Sequence, residues 1–451
     1  MTWEPEEMKK RDEESIWHAM RPYSPGGGMI IEKADGSWVT DVDGNHYLDG
    51  MSGLWCVNVG YGRKEIADAA YEQMLKLPFY PLTQSHTPAV QLTAKLDEWL
   101  GDGYMYFFSN SGSEANETAL KLVRQYFQQI GEGSRYKTIS RYRTYHGSTL
   151  ATMAAGGQTQ RKYRYEPLPP GFVHVTPPDP YRKPEGQSDE DYSLACADEI
   201  EQAILWEAEE SVAAVIMEPI ISGGGVLIPE PSYMRRVRDI CDRYGVLLIS
   251  DEVICGFGRT GKRFGFMHAD VKPDIVTMAK GITSGYMPLS VTAVRKDMYQ
   301  AFTGSEAYDH FRHVNTFGGH PAACAAAVKN LEVMEREKLV ERSERKGREL
   351  LEALKELEEL PHVGHVRGRG LLAGIEFVED KTSKKAAPEK LVKQILADCR
   401  KDGVIVGKTS DIARHHNNVL TLSPPLNIED KDLQLLITTL KKHVKAAVHP
   451  A

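Results

Sequence analysis

Residues 246–281 read VLLISDEVICGFGRTGKRFGFMHADVKPDIVTMAKG. Two apolar runs, 246–250 and 275–278, have the length and composition of buried strands. Asp251 follows the first directly, and Lys280 closes the second two residues on, in Met278-Ala279-Lys280-Gly281. If the runs are neighbours in one sheet, an acid and an amine stand at adjacent strand tips. The surrounding pattern decides whether they do.

Similar apolar runs occupy 104–108, 138–140, 172–175, 212–217 and 289–294, and helical stretches at 114–129, 194–209 and 231–244 separate several of them. This alternation predicts an α/β fold with a mostly parallel sheet covered by helices on both faces. Ligands of such sheets sit outside the C-terminal strand ends, where Asp251 and Lys280 fall. An acid and an amine there suit a pyridine-based cofactor. The carboxylate keeps a ring nitrogen protonated, and the lysine holds an aldehyde as a Schiff base. A lysine flanked by Ala279 and Gly281 after a buried run is open to desolvation, which lowers its pKa and makes it a nucleophile.

At 451 residues the chain exceeds one small core. Residues 29–49 read as a small antiparallel element around the Asp43-Gly44 turn, and a helix-rich stretch starts near 62. Beyond Pro321 come helices at 322–336, 338–358 and 428–447, and strands at 370–378, 404–406 and 419–422. The charged, proline-interrupted segment 379–390 reads as a surface loop. The expected division is an N-terminal segment 1–61 contributing to a small domain, a large cofactor-binding domain 62–321, and a C-terminal small α+β domain 322–451.

A net charge of -8 argues against nucleic acid as a partner. No apolar stretch approaches a membrane span. The six cysteines are scattered without a Cys-x-x-Cys pair, and the charged start MTWEPEEMKKRDEES has no apolar signal core, so a cytoplasmic location is expected. His415-His416 lacks partners at metal-ligand spacing. It reads as a solvated loop, and no metal site is expected.

Four motifs carry chemistry. Ser109-Asn110-Ser111-Gly112-Ser113-Glu114-Ala115-Asn116 follows the first strand and opens a helix, where free N–H groups and the positive dipole end make a phosphate cradle or an ordinary helix cap. Tyr145-His146-Gly147 offers an aromatic that can stack on a cofactor ring. Glu218-Pro219 puts a second acid on the same rim as Asp251. Residues 256–263, GFGRTGKR, fit G-x-G-x-x-G and nearly fit a nucleotide P-loop. Arg263 stands where the P-loop needs Ser or Thr, and no long helix follows, so this reads as a tight turn beside the site. A nucleotide-binding module built on this loop is the competing reading.

Taken together, these residues resemble the class III aminotransferases, pyridoxal 5'-phosphate enzymes of fold type I. The resemblance runs from about Trp17 to the C-terminal helix and rests on six ordered motifs: SNSGSEAN, YHG, EP, DEVICGFGRTG, MAKG and NTFGGHP. Residues 50–65, GMSGLWCVNVGYGRKE, are most similar to the ω-amino acid/amine:pyruvate subgroup, which includes taurine–pyruvate aminotransferases. The resemblance implies that Lys280 forms the Schiff base and shuttles the proton, while Asp251 pairs with the ring nitrogen. It puts Val253 and Tyr145 on the two ring faces and Ser111, Gly112 and Ser113 on the phosphate, with His146 and Glu218 at the cofactor. Thr316 would reach the phosphate of a second subunit, which implies a homodimer with sites at the interface. Trp55 and Met20 would line the substrate pocket. Ile254 stands where ornithine- and γ-aminobutyrate-type members carry Gln. Amine:pyruvate relatives place a carboxylate-binding arginine where this chain has Gly407-Lys408, and Arg414, on the loop that follows, is expected to take that role. The implied reaction moves an amino group from a small-molecule ω-amine donor to pyruvate by ping-pong kinetics. The related alternative is the adenosylmethionine-dependent diaminopelargonate aminotransferase of biotin synthesis, whose relatives start Trp-His-Pro-Tyr where this chain has Trp17-His18-Ala19-Met20.

Overall fold

The computed structural model describes residues 3–20, 28–413 and 415–448. Near the N-terminus, β1 (Ile31–Asp35), β2 (Trp38–Asp41) and β3 (His46–Asp49) pair antiparallel. The central sheet contains β4 (Tyr104–Ser109), β5 (Lys137–Arg141), β6 (Phe172–Val175), β7 (Val212–Met217), β8 (Leu247–Asp251), β9 (Ile275–Met278) and β10 (Ser290–Arg295). Their order is β4-β10-β9-β8-β7-β5-β6, and only β10 runs against the rest. β8 and β9 are adjacent and parallel, with Asp251 opposite Thr277. The acid and the lysine therefore do share one rim.

Every residue of β7, β8 and β9 is buried, which explains their largely apolar character, broken only by Ser250, Asp251 and Thr277 at their C-terminal ends. α1 (Lys64–Lys76) and α2 (Thr87–Leu100) pack against a later helix, α6, at Pro321–Arg336. Between them in the chain, α3 (Gly112–Gln129) lies on β8, β9 and β10, and α4 (Asp189–Trp206) packs on α5 (Pro231–Tyr244). Gly245 ends α5 in the left-handed conformation, φ +62°, and the chain turns directly into the strand that delivers Asp251.

The remaining chain adds α7 (Leu339–Lys355), β11 (Val363–Gly368), β12 (Ala373–Phe377), α8 (Glu389–Lys401), β13 (Val404–Ile405), β14 (Gly407–Lys408), β15 (Val419–Leu422) and α9 (Asp430–Val448). Four of these strands form a sheet in the order β11-β12-β15-β14, while β13 pairs in parallel with β3. Among the described residues no helix is long and apolar enough to cross a membrane, and no group of side chains is arranged to hold a metal ion.

Several elements differ from the sequence reading. α4 begins at Asp189, not 194, because Ser188 accepts from the Asp191 N–H and three acids in the first turn favour the dipole's positive end. β11, VGHVRG, was not expected: its polar residues break the alternation, and pairing with β12 supplies what propensity does not. α8 begins inside the segment read as loop.

The glycine-rich turn at 256–261 proves to be a clasp. Arg259 is fully buried and donates Nη1 to Leu371 O at 3.0 Å and Pro424 O at 2.6 Å, and Nη2 to Asn58 Oδ1 at 2.7 Å. A Cβ on Gly370 would stand 2.4 Å from the Thr260 carbonyl carbon, so the two backbones touch. Burial lowers the Arg259 pKa to about 9, against the opposing pull of Asp49 and Cys56. The P-loop-like pattern thus reflects close packing between distant parts of the chain.

Candidate active site

Asp251, at the tip of β8, is 3% exposed and firmly held. Its Oδ2 accepts from Asn116 Nδ2 at 2.8 Å and lies 2.8 Å from His146 Nδ1, and Oδ1 accepts from the Val253 N–H at 3.1 Å. Asn116 also donates to His146 O at 2.7 Å and accepts from Thr277 Oγ1 at 2.6 Å. One buried amide therefore ties together α3, β8, β9 and the loop after β5. Since the aspartate accepts at Nδ1, His146 Nε2 is left as a buried atom with no partner among the described residues.

The start of α3 forms the next wall. Ser111 caps it, accepting from the Glu114 N–H at 3.2 Å, and Glu114 Oε2 accepts from the N–H groups of Asn110 and Ser111 at 2.7 and 3.0 Å. Among the described residues nothing takes up the N–H groups of Gly112 and Ser113. A Cβ on Gly112 would meet Val253 Cγ1 at 2.9 Å, so glycine is what lets this turn lie against the DEV segment.

The far wall comes from β5 and β7. Glu218 accepts from the Tyr145 N–H at 3.1 Å and from the Ser222 N–H at 3.0 Å. Burial raises the Glu218 pKa, opposed by His146. Tyr145 OH lies 2.9 Å from Ser148 Oγ, and the Ser148 N–H donates to Ser113 Oγ at 3.0 Å, which closes the ring of contacts back to α3.

Lys280 adopts φ +48°, a left-handed conformation that costs a non-glycine residue about 1–2 kcal/mol. Gly281 next to it has no room for a side chain: a Cβ would lie 2.5 Å from Asn58 Nδ2. The strained turn brings Lys280 to the cavity wall. Burial lowers its pKa, while Cys56, Asp251 and Glu218 pull it back up.

These residues enclose a cavity of about 200 Å³ lined by Ser111, Gly112, Ser113, Asn116, Tyr145, His146, Gly147, Glu218, Asp251, Val253, Ile254 and Lys280. Thr316 is on an exposed turn and is not among the lining residues. Trp55 is half-buried against an apolar cluster that includes Ile220, Val226 and Leu372, and its indole N–H has no partner among the described residues. Met20 is 62% exposed, at the end of a described segment. Arg414 lies outside the described residues. The loop around it is less solvated than its sequence implied: Asn417 and Asn418 are buried, and burial lowers the His416 pKa. The sequence reading assigned nothing to Asn116, Thr277 or Gly147. Asn116 could have been found, since it lies one helical turn after Gly112 and shares its face.

The Aminotransferase class-III family model matches residues 22–444. The chain is a class III aminotransferase. It is 58% identical to an uncharacterized aminotransferase of Bacillus subtilis over 96% of both chains. It is 41% identical to a taurine–pyruvate aminotransferase of Bilophila wadsworthia over 98% of both. The crystal structure of a Bacillus anthracis aminotransferase superposes with a TM-score of 0.95 at 55% identity, covering 97% of this chain and 98% of that one. This class III aminotransferase therefore has fold type I and depends on pyridoxal 5'-phosphate. The cavity fits that group. It offers two free N–H groups at a helix start for a phosphate, a fixed buried carboxylate for a ring nitrogen, a histidine nitrogen lacking a partner, and a lysine with a lowered pKa.

Proposed function

We propose that this aminotransferase moves an amino group from an ω-amino acid or amine to pyruvate, giving alanine. The observation that carries this reading is the taurine–pyruvate relative at 41% identity over nearly the whole of both chains. Ile254 on the cavity wall supports it, because an apolar side chain stands where the ornithine-type pattern has Gln.

Pyridoxal phosphate supplies, when bound, an aldehyde that condenses with amines and a protonated ring that accepts electron density. The residues divide the remaining work. Lys280 would hold the aldehyde and would serve as the base that moves the proton. Its lowered pKa keeps more of it in the basic form. Asp251, fixed by Asn116 and His146, keeps the ring nitrogen protonated. Ser111, Gly112 and Ser113 hold the phosphate, Val253 and Tyr145 bound the ring, and Glu218 orients the Tyr145 wall. Thr316, being exposed, completes the phosphate site of a second subunit in a homodimer. Trp55, Met20 and Arg414 shape the substrate side. Residues 1–61 and 322–451 belong together as a small domain against 62–321, supported by the pairing of β3 with β13.

The test is a panel of taurine, β-alanine, putrescine and 1-phenylethylamine with pyruvate, read by alanine formation, plus an arm with S-adenosylmethionine and 8-amino-7-oxononanoate. Alanine from one or more donors with ping-pong kinetics is expected. Turnover confined to the adenosylmethionine arm overturns the substrate reading. Lys280→Ala should bind cofactor without turnover, and near-normal activity there refutes its role.

A further inference from the structure

An arginine stacked on a cavity-lining tyrosine has no acidic partner among the described residues. Arg161 lies in the short helix Thr159–Lys162, with its guanidinium carbon 4.8 Å from the centre of the Tyr145 ring. Its Nε donates to Gln158 Oε1 at 2.6 Å, and its Nη1 lies 3.3 Å from Met20 Sδ. Its other terminal nitrogen takes no partner among the described residues. Gln158 is itself fixed, 2% exposed and donating to Arg143 O at 3.1 Å. The neighbouring Gln160 accepts from Asn417 Nδ2 at 2.8 Å, which ties this helix to the loop carrying Arg414.

Tyr145 lines the cavity and Arg161 does not, so the guanidinium stands outside the cofactor space, against the tyrosine. Two further cations lie close by in the chain. Lys162 donates to Ala154 O at 3.2 Å, and the Arg164 guanidinium carbon lies 5.5 Å from the Tyr163 ring centre. Among the described residues none of the three forms an ion pair, although acids outnumber bases in the chain, 63 Asp and Glu against 55 Lys and Arg. Lys162 is turned inward, 3.2 Å from His174 Nε2, and feels the charge of Glu166, so Arg161 is the cation left beside Tyr145 to attract an anion. Stacking on Tyr145 orients the guanidinium without neutralising it.

We propose that Arg161 binds the distal acid of the amino donor, a sulfonate or a carboxylate, and so sets donor specificity. The proposal rests on the ω-amine reading above. A guanidinium presents paired N–H donors to two oxygens of either group and repels a distal ammonium. Arg414 is left for the carboxylate of pyruvate, which adjoins the reacting carbon, whereas the donor's acid lies at its other end.

Arg161→Gln and Arg161→Lys holoenzymes are compared with wild type in the donor half-reaction, read as loss of the cofactor's absorbance without acceptor. Donors are taurine, β-alanine, putrescine and 1-phenylethylamine. The ratio of kcat/KM for taurine over 1-phenylethylamine is expected to fall about 10- to 100-fold in Arg161→Gln, the loss of one charge-assisted pair, mostly through KM. β-Alanine should follow taurine if carboxylate and sulfonate share the site, and Arg161→Lys should recover part of the loss. Ethanesulfonate, which has the acid but no amine, should raise the Tm of wild type and not of Arg161→Gln. An equal loss with every donor, or no loss, overturns the proposal, the first because it leaves Arg161 only a supporting role for Tyr145. If wild type reacts with the acidic donors but forms no alanine from pyruvate, the acceptor reading fails while this one stands. If it reacts with none of the four donors, both fail.

Discussion

Glu252, beside Asp251, gives a prediction whose size follows from the structure. Its side chain is fully buried and accepts from the N–H groups of Gly265 and Phe266 at 2.7 and 2.9 Å and from Ser250 Oγ at 3.2 Å. Desolvation outweighs these bonds and raises its pKa from 4.5 to about 7. An acid whose folded pKa is raised binds its proton more tightly when folded. Its stabilising contribution is complete below pH 4.5 and is lost as pH climbs through about 7. At about 1.4 kcal/mol per pKa unit, the loss between pH 5 and pH 8 is about 2–3 kcal/mol. Glu252→Gln cannot titrate, and its altered hydrogen bonding adds an offset that does not change with pH. Urea unfolding of both proteins at several pH values isolates the term, because other titrating groups cancel in the difference. The stability of wild type minus that of Glu252→Gln should fall by about 2–3 kcal/mol from pH 5 to pH 8. A difference that stays flat would refute the argument, since it requires Glu252 to ionise at its ordinary pKa.

Two further variants test the frame around the site. Arg259→Met leaves the buried acceptors Leu371 O, Pro424 O and Asn58 Oδ1 without this donor, at about 1–3 kcal/mol each, so the denaturation midpoint should drop clearly. An unchanged midpoint would show that the clasp contributes nothing. Gly112→Ala drives a methyl to within 2.9 Å of Val253, and displacing that side chain should weaken cofactor binding by about 10-fold or more in a fluorescence titration. Wild-type affinity in this variant would mean that the wall yields freely.

Some of the site was legible because its signals are local. An apolar run capped by an acid, another capped by lysine, and a Ser-Gly-Ser helix start each declare themselves within a few residues. The inner strands of the central sheet could be read for the same reason: burial on both faces makes them largely apolar. β11 could not, because its polar residues fit a strand only once β12 is beside it. The function of the 256–261 turn was also hidden. Its glycines look like a phosphate loop until Leu371, Pro424 and Asn58 arrive from distant parts of the chain to take up Arg259.

The sequence alone determined the alternation of strands and helices, the acid and amine at two strand tips, and through its ordered motifs the family and cofactor. Tertiary structure decided which strands are neighbours, that Asn116 joins four elements beside Asp251, that Lys280 is desolvated enough for its pKa to fall, and that Arg161 rests on Tyr145 with no acid to pair with among the described residues. The division has a physical cause. Apolar periodicity and turn chemistry act over a few residues along the chain, whereas desolvation, hydrogen-bond closure and charge pairing depend on groups that meet only when the chain has folded.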